Sequence, residues 1–286
     1  MGRGLREPNR GAEVTANRIT VQGHFGELIQ GTLGPDGPLA LISLPCPALT
    51  LTAETRPAPA LRVAGSASGL LAAPKAASLL AELRLDYTAR LSLRCDMPPG
   101  GGAGASTAAL VALARAAGYS GRPQQLAEAC QAVEGATDPL MFPAPERLLW
   151  GSRTGRIVAE LPALPAFDVV GGFFGPLRRT NPNDESFPDI SDLIEPWVEA
   201  ALAQDLPALA RLASTSAELC LAMRGPQDDP SAELAQSLGA LGYVIAHTGN
   251  ARGFLFPTGE VPEDAEDVLE EARFDATLTF SHGPAL

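Results

Sequence analysis

The stretch from Tyr87 to Ala117 narrows the fold more than any other. Tyr87 to Cys95 alternates apolar and polar residues, the period of a strand with one buried face. It runs into Pro98-Pro99-Gly100-Gly101-Gly102-Ala103-Gly104-Ala105-Ser106-Thr107-Ala108, and an Ala/Leu-rich helical stretch then continues to Ala117, with Gly118 as its stop. A strand, a glycine-rich loop and a helix in that order make an anion site. Glycines let the backbone approach a phosphate and take positive φ, while the helix N-terminus presents unpaired N–H groups and partial positive charge. An ordinary tight turn, with glycines that serve close packing, is the other reading. The loop is not a Walker A motif, because no Lys follows it; the only Lys in the chain is Lys75. Nor is it the GxGxxG of a dinucleotide-binding unit.

Ser106 and Thr107 fall in the first turn of that helix, where a hydroxyl either caps the helix or ligates Mg²⁺ beside the phosphates. Downstream, Val133-Glu134-Gly135-Ala136-Thr137-Asp138-Pro139 carries two acids past the end of a second predicted helix, Pro123 to Val133. Mg²⁺ favours one or two carboxylates plus phosphate oxygens, and phosphoryl transfer wants a carboxylate near the acceptor hydroxyl. Two acids four apart are also common on any solvated surface.

Charge and length bound the rest. The net charge of -12 excludes a protein built to grip a nucleic-acid backbone, but not a nucleotide site, which needs only local donors and a metal. With 286 residues, 45% of them hydrophobic, the chain can bury two packed halves. Cys46, Cys95, Cys130 and Cys220 form no metal-ligand spacing and read as free thiols of a reducing cytoplasm. No apolar run reaches the ~20 residues that span a bilayer, and the polar start lacks a secretory signal, so a cytoplasmic protein with no membrane or nucleic-acid partner is expected.

Residues 1–16 read as a flexible start. Strands are expected at Arg18 to Gln22, Ala40 to Ser43, Leu49 to Glu54, Leu61 to Val63, Ile157 to Leu161, Asp168 to Phe174, Tyr243 to His247, Gly253 to Pro257 and Ala276 to Phe280. Further helices are expected at Ala73 to Leu83, Ile194 to Gln204, Leu206 to Met223 and Ser231 to Leu241. This is an α+β pattern with a divide near residues 150–165. Asp184-Glu185, Asp228-Asp229 and the acidic run Glu260 to Glu271 read as exposed faces, and His282 as solvated. Arg178-Arg179 reads as a solvated pair, or as a partner for a substrate carboxylate.

The loop Pro98–Ala108 resembles the second signature of the GHMP kinases: a Pro, three residues, Gly102-Ala103-Gly104, then Ala105-Ser106. Ser106-Thr107-Ala108 is similar to the L-threonine kinase branch associated with cobalamin synthesis and propanediol utilisation. Gly26-Glu27-Leu28-Ile29-Gln30-Gly31 resembles the N-terminal signature of that branch, and Thr137-Asp138-Pro139-Leu140-Met141-Phe142-Pro143 its acidic segment. Ala246-His247-Thr248-Gly249, with Gly253-Phe254-Leu255-Phe256, resembles its C-terminal signature. The resemblance implies an N-terminal ATP-binding domain with a left-handed βαβ unit over 17–158 and a ferredoxin-like domain over 159–286. It implies backbone binding of ATP phosphates by Pro98 to Ala108, Mg²⁺ on Ser106 and Glu134, and Asp138 as base or orienter of the acceptor hydroxyl. The acceptor side would fall to His24, Glu27, Asp138 and His247, although His24 and His247 read equally well as ordinary loop histidines.

Three departures accompany it. Ala105 stands where many relatives have a serine, Ala109 where the threonine kinase branch has an acid, and His24-Phe25 near the N-terminus where many members carry a Lys. Gly171 to Gly175 also lacks the polar residues expected there. The expected activity is ATP-dependent phosphorylation of a small hydroxylated amino acid, with L-threonine foremost. Homoserine, a mevalonate-like alcohol or a sugar stand as other acceptors, and an ATP-binding protein that has lost transfer as another class. Oligomeric state, including a homodimer, stays open.

Overall fold

The computed structural model describes residues 18–177, 181, 184, 186–226 and 228–283; the expected flexible start and Arg178-Arg179 lie outside the described residues. The first half is built on a long antiparallel ladder of β1 (Arg18–Thr32) and β2 (Leu39–Pro57), paired from Arg18↔Glu54 to Thr32↔Leu39. The sequence pattern gives only Arg18 to Gln22 of the first and splits the second into Ala40 to Ser43 and Leu49 to Glu54. They are continuous instead, because register shifts at Gln22/Gly23, His24/Glu27 and Glu27/Ile29 absorb the irregular residues, among them Gly26 at φ 77 and Pro45, which lies opposite His24. Next to β2 come β4 (Ala89–Cys95), antiparallel, and β3 (Arg62–Ala64), parallel to β4 with α1 (Ala73–Glu82) crossing between them. The loop after β4 leads into α2 (Ala105–Ala116), which is buried on nearly every side among α1, α3 (Pro123–Glu134), β1 and β2. A small-residue composition suits that position: Ala108, Ala109, Ala112 and Ala114 let the helix lie close to the sheet. A hairpin of β5 (Leu148–Gly151) and β6 (Arg156–Glu160) joins β2 at Leu41↔Trp150.

The second half contains β7 (Phe167–Phe174), α4 (Ser191–Leu202), α5 (Leu206–Arg224), α6 (Ser231–Leu238), β8 (Gly242–Ile245), β9 (Ala251–Phe256), α7 (Ala265–Glu271) and β10 (Phe274–His282). Its strands lie antiparallel in the order β10-β7-β9-β8, fourth-first-third-second, which is the ferredoxin-like arrangement. Strand β8 then meets β1 at Glu27↔Ile245, so one ten-stranded sheet runs through the molecule. At this junction Phe25 is fully buried, edge-on to Phe173 at 5.5 Å and Phe280 at 5.6 Å. No described helix is long and apolar enough to cross a membrane, and all four cysteines are free.

Four local expectations change. Strand β5 went unforeseen because Leu-Leu-Trp-Gly is too short to show a period. The acidic run holds α7, whose Ala265 and Leu269 are buried under its charged face. Asp229 is not a surface acid: its side chain, 4% exposed, receives Arg252 Nε at 3.0 Å and Nη2 at 2.9 Å. His282 is half-buried against Phe167, ring centroids 4.8 Å apart.

Candidate active site

The glycine loop is fixed from behind by its carbonyls. Gly101 O accepts Asn250 N–H and Ala251 N–H, both at 3.1 Å, and Ala103 O accepts His24 N–H at 3.2 Å. Gly100, Gly102 and Gly104 take φ of 86°, 78° and 80°. Left-handed residues alternating with ordinary ones are the backbone pattern of an anion nest, which continues into the free first turn of α2, although the Gly101 N–H is taken by Pro98 O at 2.9 Å. The fit is close. A Cβ on Gly104 would lie 2.8 Å from Leu140 Cδ1 and 2.9 Å from His24 Cδ2.

This nest opens on a cavity of about 350 Å³. It brings together nearly all of the site residues read from the sequence: Pro98 to Gly100, Gly102 to Thr107, His24, Glu27, Glu134, Asp138 and His247. Gly101 and Ala108 do not line it. Gly101 backs onto the Phe173 ring, and Ala108 is fully buried.

Two polar clusters flank the nest. On one side, Ser106 Oγ donates a short hydrogen bond to Glu134 Oε1, and Lys75 is ion-paired with the same carboxylate and donates to Ser106 Oγ at 2.7 Å. The Ser106 side chain therefore makes no cap. Glu134 ends α3 and is 11% exposed, and the Asp138 side chain is 26% exposed, so neither acid is a fully solvated surface group. Lys75 was not assigned by sequence reasoning. Its signal was its uniqueness, but only the crossing of α1 beside α2 shows where it points.

On the other side, Asp138 is clamped by Thr107, whose hydroxyl donates to Oδ2 at 3.1 Å and accepts the Asp138 N–H at 3.3 Å. The segment before it is stitched to the β5–β6 hairpin: Trp150 Nε1 donates to Thr137 O at 2.7 Å and Thr137 N to Ser152 O at 2.9 Å. His24 Nε2 lies 3.7 Å from Asp138 Oδ1, and its Nδ1 3.4 Å from Glu27 Oε1. Burial alone would lower the pKa of His24, but Glu27 and then Asp138 outweigh it and raise it to about 9. Burial lifts Glu27 to about 7 against the pull of His24. Burial would also raise Asp138, yet His24 and the Thr107 hydroxyl hold it below the usual carboxylate range. His24 thus supplies a cation beside Asp138 in a chain whose N-terminal segment lacks a Lys.

Farther from the nest, Arg153 projects from the β5–β6 turn. It was missed because a turn Arg carries no sequence signal. Its Nη2 donates to Asn181 O at 3.0 Å, while Nε and Nη1 are buried without a hydrogen-bond partner, as are Glu27 Oε2, Ser152 Oγ and His247 Nε2. The departures from the resemblance also find their places. Ala105 lines the cavity and still offers a helix-terminal N–H, whereas Ala109 is fully buried in the core and removes nothing from the site.

Solved structures similar to this chain include small-molecule kinases. Streptococcus pneumoniae phosphomevalonate kinase superposes with TM-score 0.66 at 12% identity, covering 93% of this chain and 99% of that one. Cytophaga hutchinsonii homoserine kinase gives 0.62 at 14% identity, covering 96% and 97%. L. major mevalonate kinase, in complex with R-mevalonate, gives 0.61 at 13% identity, covering 95% and 99%. No family model matches the chain. No curated protein matches it either. The chain has the GHMP kinase fold over nearly its full length.

Proposed function

We propose that this protein transfers the γ-phosphoryl group of ATP to the hydroxyl of a small metabolite, a hydroxylated amino acid with L-threonine foremost. One observation carries the reading: the nest lies between a Ser106–Glu134–Lys75 cluster and an Asp138 carboxylate held ionised beside a buried His24. Phosphoryl transfer is mostly positioning and charge neutralisation, and the two clusters divide those tasks. Residues 17–158 would hold the nucleotide, and 159–286 would close the acceptor side.

The N–H groups of the nest bind the phosphates. Ser106 and Glu134 fit Mg²⁺, since one hydroxyl and one carboxylate beside phosphate oxygens form its usual donor set and the pair already attracts a cation, the Lys75 ammonium. Bound Mg²⁺ would neutralise charge developing on the phosphates. Lys75 would then turn from Glu134 toward the phosphates. Asp138 orients the acceptor hydroxyl and takes its proton as the hydroxyl oxygen bonds to the γ-phosphorus and the bond to the β-phosphate oxygen breaks. Thr107 and His24 hold Asp138 in place. What supports transfer over mere nucleotide binding is that Ser106, Glu134, Lys75 and Asp138 all face one cavity.

The test is a mass-spectrometric screen for phosphate transfer from Mg-ATP to hydroxylated metabolites, with L-threonine and L-homoserine included. Asp138→Asn should lower turnover by orders of magnitude with ATP affinity near normal. Mg-ATP binding without product across the screen would sink the kinase reading, and unchanged turnover in Asp138→Asn would remove Asp138 from it.

A further inference from the structure

The acceptor half of the cavity holds polar atoms that the phosphate chemistry does not use. Arg153 is the donor among them, with Nε and Nη1 buried and free of hydrogen-bond partners. Among the described residues no carboxylate lies within ion-pair distance of it. Although Arg153 is partly exposed, two guanidinium nitrogens buried without partners are costly unless an anion arrives to complete them.

His247 is the acceptor. Gln30 Nε2 donates to Ile245 O at 2.9 Å, which fixes the Gln30 amide so that its Oε1 faces His247 Nδ1 at 3.2 Å. An oxygen there can only accept, so Nδ1 carries the proton. Burial, then Arg153 and Arg224, push His247 down to about 3, so the ring is neutral and Nε2 presents a bare lone pair. The ring is stacked on Phe187 at 4.3 Å and 16°, which fixes where that lone pair points. Nearby, Glu27 Oε2 is likewise buried with no partner. Two acceptors and one cationic donor around a single cavity match one ligand chemistry: an ammonium and a carboxylate on the same small molecule.

We propose that Arg153 determines acceptor specificity by binding the carboxylate of an α-amino acid, while His247 Nε2 and Glu27 Oε2 receive its ammonium. The inference rests on the kinase reading for its location and deepens it. With both polar ends held, the side-chain hydroxyl is directed to Asp138. A doubly anionic acceptor is disfavoured, because Glu27 and the His247 lone pair would oppose its second charge.

Calorimetric titration in the presence of Mg²⁺ and a non-hydrolysable ATP analogue tests this. The probes are L-threonine and L-homoserine, their carboxamides, and 3-hydroxybutyrate, which lacks the ammonium. For the unmodified protein at least one amino acid should bind tenfold or more tighter than its carboxamide, and L-threonine tighter than 3-hydroxybutyrate by a similar factor. Arg153→Met should abolish the preference for the carboxylate while leaving affinity for the ATP analogue unchanged, and Arg153→Lys should restore part of it. Equal binding of acid and amide by the unmodified protein, no binding by any amino acid, or full affinity in Arg153→Met would each overturn the proposal. Selective amino-acid binding without phosphoryl transfer would refute the kinase reading alone. Transfer to a neutral alcohol without amino-acid selectivity would refute only this inference.

Discussion

At the level of single residues, His24 gives the sharpest test of the electrostatics around Asp138. An opposite charge within 4–6 Å lowers a carboxylate pKa by about 1–3 units. Replacing His24 by Gln removes that charge, so the acid limb of the kcat–pH profile should move upward by about the same amount, which lost packing alone would not produce. His24→Lys should keep the acid limb where it is and extend activity on the alkaline side, beyond the pH near 9 at which His24 deprotonates. The sign for stability is fixed by the same shift. The folded pKa of about 9 lies above the reference 6.5, so the contribution of His24 is complete below about pH 6.5 and is lost as pH rises through 9. Glu27, raised to about 7, works in the same direction and loses its contribution as pH rises through 7. Melting temperature should therefore fall on the alkaline side, and less steeply in His24→Gln. Lys75→Met makes a contrasting case. The side chain is only 25% exposed and pairs with a Glu134 carboxylate that is 11% exposed, so its removal should also lower stability by leaving that carboxylate without its cation. The loss of its charge beside Ser106 should lower kcat by on the order of 10²-fold, the scale of one removed transition-state contact, measured with ATP saturating.

At the level of elements, the nest depends on backbone shape more than on side chains. Gly104 and Gly118 flank α2 and both have positive φ, 80° and 84°. A methyl on Gly118 meets nothing within 4 Å, whereas on Gly104 it would press Leu140 and His24. Gly118→Ala should then cost about 1 kcal/mol from the left-handed backbone alone, with ATP-analogue affinity intact. Gly104→Ala should cost more and weaken nucleotide binding as well; equal effects in denaturation and titration would refute the close-approach argument. This element was legible beforehand because strand period, glycine cluster and helix all lie within one short segment. So were α1, α3 and α5, whose apolar spacing is local. The long β1 and β2 were not, since their continuity is imposed by each other across bulges at Gly23 to Ile29, which a scan for alternation reads as breaks. Lys75 and Arg153 were not legible for a related reason. Each reaches the site from an element whose own pattern says nothing about the cavity, and only the packing of α1 and the anchoring of the β5–β6 turn aim them. Asp229 was misread in the same way, because its partner Arg252 lies on a strand 23 residues away.

Across the whole molecule, the sheet is continuous, yet β1 and β8 share a single paired position, Glu27↔Ile245. What reinforces that seam is Gln30. Its side chain donates to Ile245 O, its Oε1 meets His247, and its backbone N–H donates to Ser216 Oγ at 2.9 Å from α5. Gln30 is 1% exposed, so each of these bonds is made out of water. Gln30→Leu keeps much of the volume but leaves Ile245 O without its side-chain donor and frees His247 Nδ1. Buried polar groups left unpaired cost about 1–3 kcal/mol each, so a loss of about 2–4 kcal/mol should appear in urea denaturation with m unchanged. The same substitution reaches the proposed acceptor pocket. Once Gln30 Oε1 no longer fixes the tautomer, His247 can place its proton on Nε2 and turn a lone pair into a donor. Amino-acid affinity should fall while ATP-analogue affinity holds, because the nest is anchored by Gly101 O and Ala103 O through residues that Gln30 does not touch. A stable Gln30→Leu protein with normal amino-acid binding would separate the seam from the site; loss of both would show that one buried amide joins the sheet and sets the polarity of the pocket.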